Sequence, residues 1–147
     1  MKKQLSFQLA TLVLIGLFAV CAQAQSRSGQ QLTVDIPFAF NVGNAELAAG
    51  QYTVKIVNPS SDRAVLQIRD AKGQSSALVA TTDVAGWSSK NARLTFRQYG
   101  SQYFLAQVWM AGDATGLKTN SSSAERAASK QVAKNEKASS LVAVDAK

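Results

Sequence analysis

Every second residue from Leu32 to Val42 is large and apolar: Leu32, Val34, Ile36, Phe38, Phe40 and Val42. Thr33, Asp35, Ala39 and Asn41 stand between them. Alternate side chains of a strand point to opposite faces, so this run predicts a half-buried β-strand and makes a helix the wrong period. Pro37 sits inside it and cannot donate a ladder hydrogen bond, which predicts either an edge position or a bulge there.

Weaker copies of the same pattern follow. Tyr52, Val54 and Ile56 alternate with Thr53 and Lys55, and the turn-rich cluster Asn58-Pro59-Ser60-Ser61-Asp62 ends that run. Leu66 and Ile68 alternate with Gln67 and Arg69, and Asp70-Ala71-Lys72-Gly73 predicts a hairpin into a partner strand over residues 75–82. After the loop at residues 86–89 (Gly-Trp-Ser-Ser), Leu94 and Phe96 alternate with Arg93, Thr95 and Arg97. Tyr99-Gly100-Ser101-Gln102 predicts the last tight turn, with a returning strand over 103–110. The expected fold is therefore all-β: an antiparallel β-sandwich or small barrel of six or seven strands, with a C-terminal α-helical appendage.

Residues 113–122 are rich in Gly, Thr, Ser and Asn and read as a linker. Ser122 followed by Glu125 is a capping-box pattern opening a helix over 124–138. Its apolar stripe holds only Ala124, Ala127, Ala128 and Val132, which buries little area, so weak docking is expected. Leu141-Val142-Ala143-Val144 is short enough for one more edge strand, the seventh.

The first 24 residues carry the three parts of a cleavable export signal. Lys2 and Lys3 supply the positive start, residues 9–21 an uncharged apolar run, and Ala22-Gln23-Ala24 the small-x-small site, so cleavage is expected between Ala24 and Gln25. A span needs about 20 apolar residues, so a retained anchor is the weaker reading and no transmembrane segment is expected in the mature form. Cys21 raises lipidation as an alternative, which Val20 before it fits poorly. The expected address is periplasmic or secreted. The expected division is a signal peptide (1–24), a β-sandwich domain (25–112), a linker (113–122) and a C-terminal helix and tail (123–147). Loss of the signal removes two lysines and takes the net charge from +7 to +5.

The segments DIPFAFNVGNAELAAGQYTVKIV (35–57), LTFRQYGSQYFLAQVW (94–109) and SAERAASK (123–130) resemble a family of small, uncharacterised exported proteins common in acidobacteria. Its members run through a V-P-F-x-F-x-V-G strand, an L-P-A-G-x-Y-T-V turn, an R-Y-G-x-Q-Y-F-L hairpin and a K-S-x-A-E-R-E helix start. The resemblance covers most of the chain beyond residue 24. It implies export and a β-rich fold, and it implies no activity. Ala48 stands where that family carries proline, and Thr119-Asn120-Ser121 replaces a more compact lead into the helix. Tyr52 is expected to pack its ring inward with its hydroxyl at the rim.

There is no histidine, and the single cysteine, Cys21, leaves with the signal. Imidazole and thiolate chemistry are thereby excluded from the mature protein, as are their metal sites. The carboxylates of the β region, Asp35, Glu46, Asp62, Asp70 and Asp83, show no spacing that would set two across a cleft, so a carboxylate hydrolase is the least favoured class. No cofactor motif is present.

Two surfaces are candidates for binding. Arg93, Arg97 and Tyr99 fall opposite Leu94 and Phe96, with Lys90 nearby and Tyr103 past the turn, a basic and aromatic face suited to an anionic or neutral polysaccharide. Arg126, Lys130 and Lys134 recur every four residues and line one side of the predicted helix, where like charges repel unless a partner neutralises them. A non-catalytic binding or structural module of the cell envelope or secretome is expected, with an envelope protein or a polysaccharide as partner and no nucleic acid. A carbohydrate-binding module is the alternative.

Overall fold

The computed structural model describes residues 30–58, 63–74, 76–134 and 138–146. The expected signal peptide and its cleavage site at Ala24 and Gln25 lie outside them, as do Asp62 and most of its turn cluster.

The described residues form ten strands and one short helix. In chain order they are β1 (Gln31–Ile36), β2 (Phe40–Val42), β3 (Ala45–Leu47), β4 (Gly50–Ile56), β5 (Val65–Asp70), β6 (Ser76–Ala85), β7 (Arg93–Tyr99), β8 (Gln102–Trp109), β9 (Thr115–Thr119), α1 (Ser123–Lys134) and β10 (Ser139–Asp145). The fold is thus mostly β with a short C-terminal helix. The ladder runs β1-β4-β5-β6-β9-β8-β2-β3, and β7 joins the other edge of β8 and carries β10. All pairings are antiparallel except the bridge between Asn41 of β2 and Phe104 of β8, so the sheet is mixed. It is also open, since no ladder among the described residues joins β1 to β10.

The expected six or seven strands become ten because the run 32–42 splits in two and because β3 and β9 add short strands that alternation did not mark. The run 32–42 is two strands. Leu32, Val34, Ile36, Phe40 and Val42 are all buried, and Phe38 packs against them half-buried. Pro37 marks the break: β1 before it pairs with β4, and β2 after it pairs with β3 and β8. The alternation survives the break, which is why the sequence reads as one strand. Gly43, at φ 62°, supplies the left-handed residue of the tight β2–β3 turn.

β6 runs three residues past its expected end at Thr82 and has two partners. Ser76 to Ala80 pair with β5, and Thr81 to Ala85 with β9. At the change-over, the buried Thr81 donates from both its amide (2.9 Å) and its hydroxyl (2.8 Å) to the Ala64 carbonyl. A third irregularity lies in β8, where Phe96 pairs with Leu105 but Thr95 with Gln107. Ala106 is the extra residue of a β-bulge. Leu105 before it and Val108 after it both reach the core. The Thr119 hydroxyl donates to the carbonyls of Leu105 and Ala106, satisfying oxygens at the bulge.

Thr119 belongs to β9, so the segment read as a linker is part of the sheet. Its Leu117 is 3% exposed and packs in the core. Composition misleads here because Thr-Gly-Leu-Lys-Thr contains a single large apolar residue, while its neighbours on both sides supply ready-made strand edges. The described part of the helix is Ser123–Lys134, and the expected continuation over 135–137 lies outside the described residues. The expected edge strand at 141–144 is present as β10, paired along the whole length of β7.

The core is one cluster with an aromatic spine. Rings pass from Tyr52 to Phe40 (5.1 Å), Phe40 to Phe96 (5.4 Å), Phe96 to Phe38 (5.2 Å) and Phe38 to Tyr103 (4.0 Å). The first three contacts are edge-on and the last is stacked, both favoured ring geometries. Tyr52 keeps its ring inside as expected and donates its hydroxyl to the Ala48 carbonyl at 2.7 Å.

Trp109 is buried outside this cluster, against glycine backbone. A Cβ on Gly116 would lie 2.7 Å from Trp109 Cδ2, and one on Gly86 would also overlap the ring. Neither glycine has a positive φ, so both are required for space alone. Gly116→Ala should lower the unfolding free energy by about 1–3 kcal/mol, the usual cost of overpacking, read as a lower denaturant midpoint with the slope unchanged.

Candidate functional site

Of the residues expected to form an open basic and aromatic face, Arg97 and Tyr99 are instead engaged by the chain's own helix. Arg97 and Tyr99 do lie on the outer side of β7, opposite Leu94 and Phe96. α1 sits on that side. Arg97 forms a two-pronged ion pair with Glu125, from Nε to Oε1 and from Nη2 to Oε2 at 3.1 Å. The Tyr99 hydroxyl donates to the same Oε1 at 3.3 Å. The Glu125 side chain is 3% exposed and that of Arg97 20%. Phe104 is buried beside them and meets Tyr99 edge-on at 5.9 Å.

Glu125, read from the sequence only as the acid of a capping box, is buried in an ion pair. The Ser122 hydroxyl does cap the helix, accepting from the Glu125 amide at 3.1 Å. The carboxylate, however, leaves the helix end and turns toward the sheet. Ala128, one turn on, is the other buried residue of α1. The pattern Glu125-Ala128-Val132 places the acid on the stripe that docks, a helical signal that was available from spacing alone. Its burial is tolerable only because a planar guanidinium and a phenol satisfy it.

The other expected residues separate. Arg93 is exposed, with its guanidinium 5.5 Å from the centre of the Trp109 ring. Tyr103 points inward and stacks on Phe38, so it is lost to any outer face. Lys90 is exposed at the opposite end of β7 from α1, beside a cleft. Arg126, Lys130 and Lys134 are all exposed and share the solvent side of α1. Arg126 also donates Nη1 to the Ser121 carbonyl at 2.7 Å, holding the start of the row against the helix entry.

Of the acids in the β region, Asp35, Glu46 and Asp83 are exposed, and Asp70 accepts the Gln74 amide at 2.7 Å in its turn. Among the described residues no three Asp or Glu side chains gather as a metal site, and no helix is long and apolar enough to cross a membrane. No family model, no curated protein and no solved structure matches this chain.

Glu125→Gln should cost about 2–3 kcal/mol, less than for a fully buried pair because part of Arg97 remains in water. Combining Arg97→Met with Glu125→Leu should recover most of that loss in urea unfolding, since no charge is then stranded.

Burial raises the Tyr99 phenol above its ordinary value of 10.0, and the Glu125 charge adds to the shift. Burial raises Tyr52 likewise, with Asp70 contributing. Both folded values exceed the unfolded one, so the folded state holds these protons more tightly. The associated stability is complete below about pH 10 and is lost as pH rises through the raised values. Tyrosinate absorbance should show both groups ionising late, and the double variant Tyr52→Phe, Tyr99→Phe should flatten the alkaline fall in stability.

Proposed function

We propose that this chain is an exported, non-catalytic β-sandwich protein that binds an acidic partner of the cell envelope or secretome through the basic row of α1. One observation carries the reading: the buried Glu125–Arg97 pair fixes the rotation of the helix. With Glu125 and Ala128 turned to the sheet, Arg126, Lys130 and Lys134 face water together. Glu125 is the only acid among the described residues of α1 and is already paired, so none of these neutralises the row. A pre-oriented line of like charges loses little freedom on binding and attracts acidic surfaces from a distance.

The export part of the proposal is supported by the leader pattern of residues 1–24 and by the resemblance to small acidobacterial exported proteins. The sandwich part is supported by the change of partner halfway along β6, a way in which one strand serves two sheets, and by the single core cluster to which strands on both sides of that change contribute. The absence of histidine, and of cysteine beyond residue 21, supports a binding role over catalysis.

The test compares the chain with its Lys130→Glu, Lys134→Glu variant as baits for native envelope extract, with captured species identified by mass spectrometry. Selective capture of acidic species by the parent, weakened by added salt and lost in the variant at unchanged thermal stability, is the expected outcome. Equal capture by both baits would remove the helix from the binding role.

A further inference from the structure

Beyond the far end of β7 lies a cleft of about 280 Å³, lined by Gln30, Gln31, Lys90 and Asn91 with Met110 and Ala146 as apolar contacts. It approaches the lower end of the volumes that ligand sites span, roughly 300–1,000 Å³, and so suits one ring of a ligand rather than a large molecule. Its Gln30 Oε1 is buried with no hydrogen-bond partner. A buried acceptor left unpaired is unfavourable and calls for an O–H or N–H donor. Lys90 is exposed and has no ion pair among the described residues, so the same cleft presents an uncompensated cation.

The loop that carries Lys90 also carries Trp87, which is 91% exposed. The Gly86 amide donates to the Ala114 carbonyl at 2.9 Å, the Ser88 hydroxyl to the Gly112 carbonyl at 2.9 Å, and the Gly112 amide to the Ser89 carbonyl at 2.8 Å. Bonds on both sides of Trp87 thus tie the loop backbone to the 110–114 turn, and the indole is left in water. A large rigid ring presented this way offers contact area at small entropic cost, and its electron-rich face suits the polarised C–H bonds of a sugar ring.

We propose that the Gln30–Lys90–Asn91 cleft, with Trp87 on the same loop, binds a carboxylated sugar unit of an acidic polysaccharide. The four requirements meet in that chemistry. Ring hydroxyls donate to Gln30 Oε1, the carboxylate pairs with Lys90, the Asn91 amide reads a further hydroxyl, and a C–H face covers Trp87. The cleft borders Ala92 and Asn91 ahead of β7, whereas α1 meets β7 at Arg97 and Tyr99, so occupancy here is independent of the helix.

The test is a titration of the purified protein, expressed with its own leader, with a galacturonic acid trimer, its neutral methyl ester, and acetate. Affinity is read by calorimetry and by tryptophan emission, to which only Trp87 and Trp109 contribute. The trimer should bind saturably and shift the emission to the blue, and Trp87→Phe should abolish the shift. Lys90→Ala should weaken binding by about tenfold, as for loss of one hydrogen bond to a charged group. Gln30→Ala should weaken it several-fold, and the Lys130→Glu, Lys134→Glu variant should bind as the parent does. No saturable binding at millimolar trimer, equal affinity for the methyl ester or for acetate, or unchanged affinity in both Lys90→Ala and Gln30→Ala would each overturn the proposal.

Discussion

The fold depends on one constraint: alternate side chains must all reach a single apolar core although the chain changes hydrogen-bonding partners twice and shifts register once. There is no cross-link to help, because the only cysteine lies at position 21. Each of these breaks therefore needs its own local device. At Pro37 the ladder is interrupted by a residue that could not have donated to it. At Thr81 a hydroxyl and an amide fasten the turning point of β6 to Ala64. At Ala106 a bulge resets which residues face inward, and Thr119 caps its carbonyls. Without the bulge, Leu105 and Val108, three positions apart, could not both face the core.

The bulge has a consequence for the outer surface. Because Leu105 and Val108 point inward, Phe104 and Trp109 are released to the other side of β8, where each is buried by a different means. Phe104 lies near Tyr99 and α1. Trp109 lies against the bare backbone of Gly86 and Gly116, with the Arg93 guanidinium over its ring. The outer face of β7 and β8 is thereby closed by an ion pair at one end and by glycines at the other. The exposed tryptophan is the second one, Trp87, one residue beyond Gly86. The same short segment thus supplies space for a buried indole and a support for an exposed one.

The Arg97–Glu125–Tyr99 group works in a different currency from the core. A carboxylate that is 3% exposed gains little net energy from its partners, since the attraction mainly offsets lost hydration. What it supplies is selectivity of placement: only one rotation of α1 brings Glu125 to the guanidinium. The apolar stripe of the helix, largely alanine, has too little area to choose a rotation by itself. The basic row owes its direction to this pair, and the two ends of β7 come to carry separate surfaces, a cationic helix at one and a polar cleft at the other.

Local pattern alone was enough for the β class, the inward set of residues along β1, β2, β4, β5 and β7, the hairpins at Asp70–Gly73 and at Gly100, and the capped start of α1. These rest on period-two alternation, turn chemistry and capping, which act over a few neighbouring residues. Long-range packing was needed to split residues 32–42 into two strands, to make residues 115–119 a strand rather than a linker, and to turn Tyr103 inward while Arg97 and Tyr99 lie under the helix. The reason is physical. A ladder partner is chosen by whichever strand edge is free nearby, and a charged side chain by whichever opposite charge is brought to it. Neither choice leaves a mark in local periodicity. Glu125 shows the boundary: its spacing from Ala128 was legible, but that a guanidinium would meet it there followed only from packing α1 against β7.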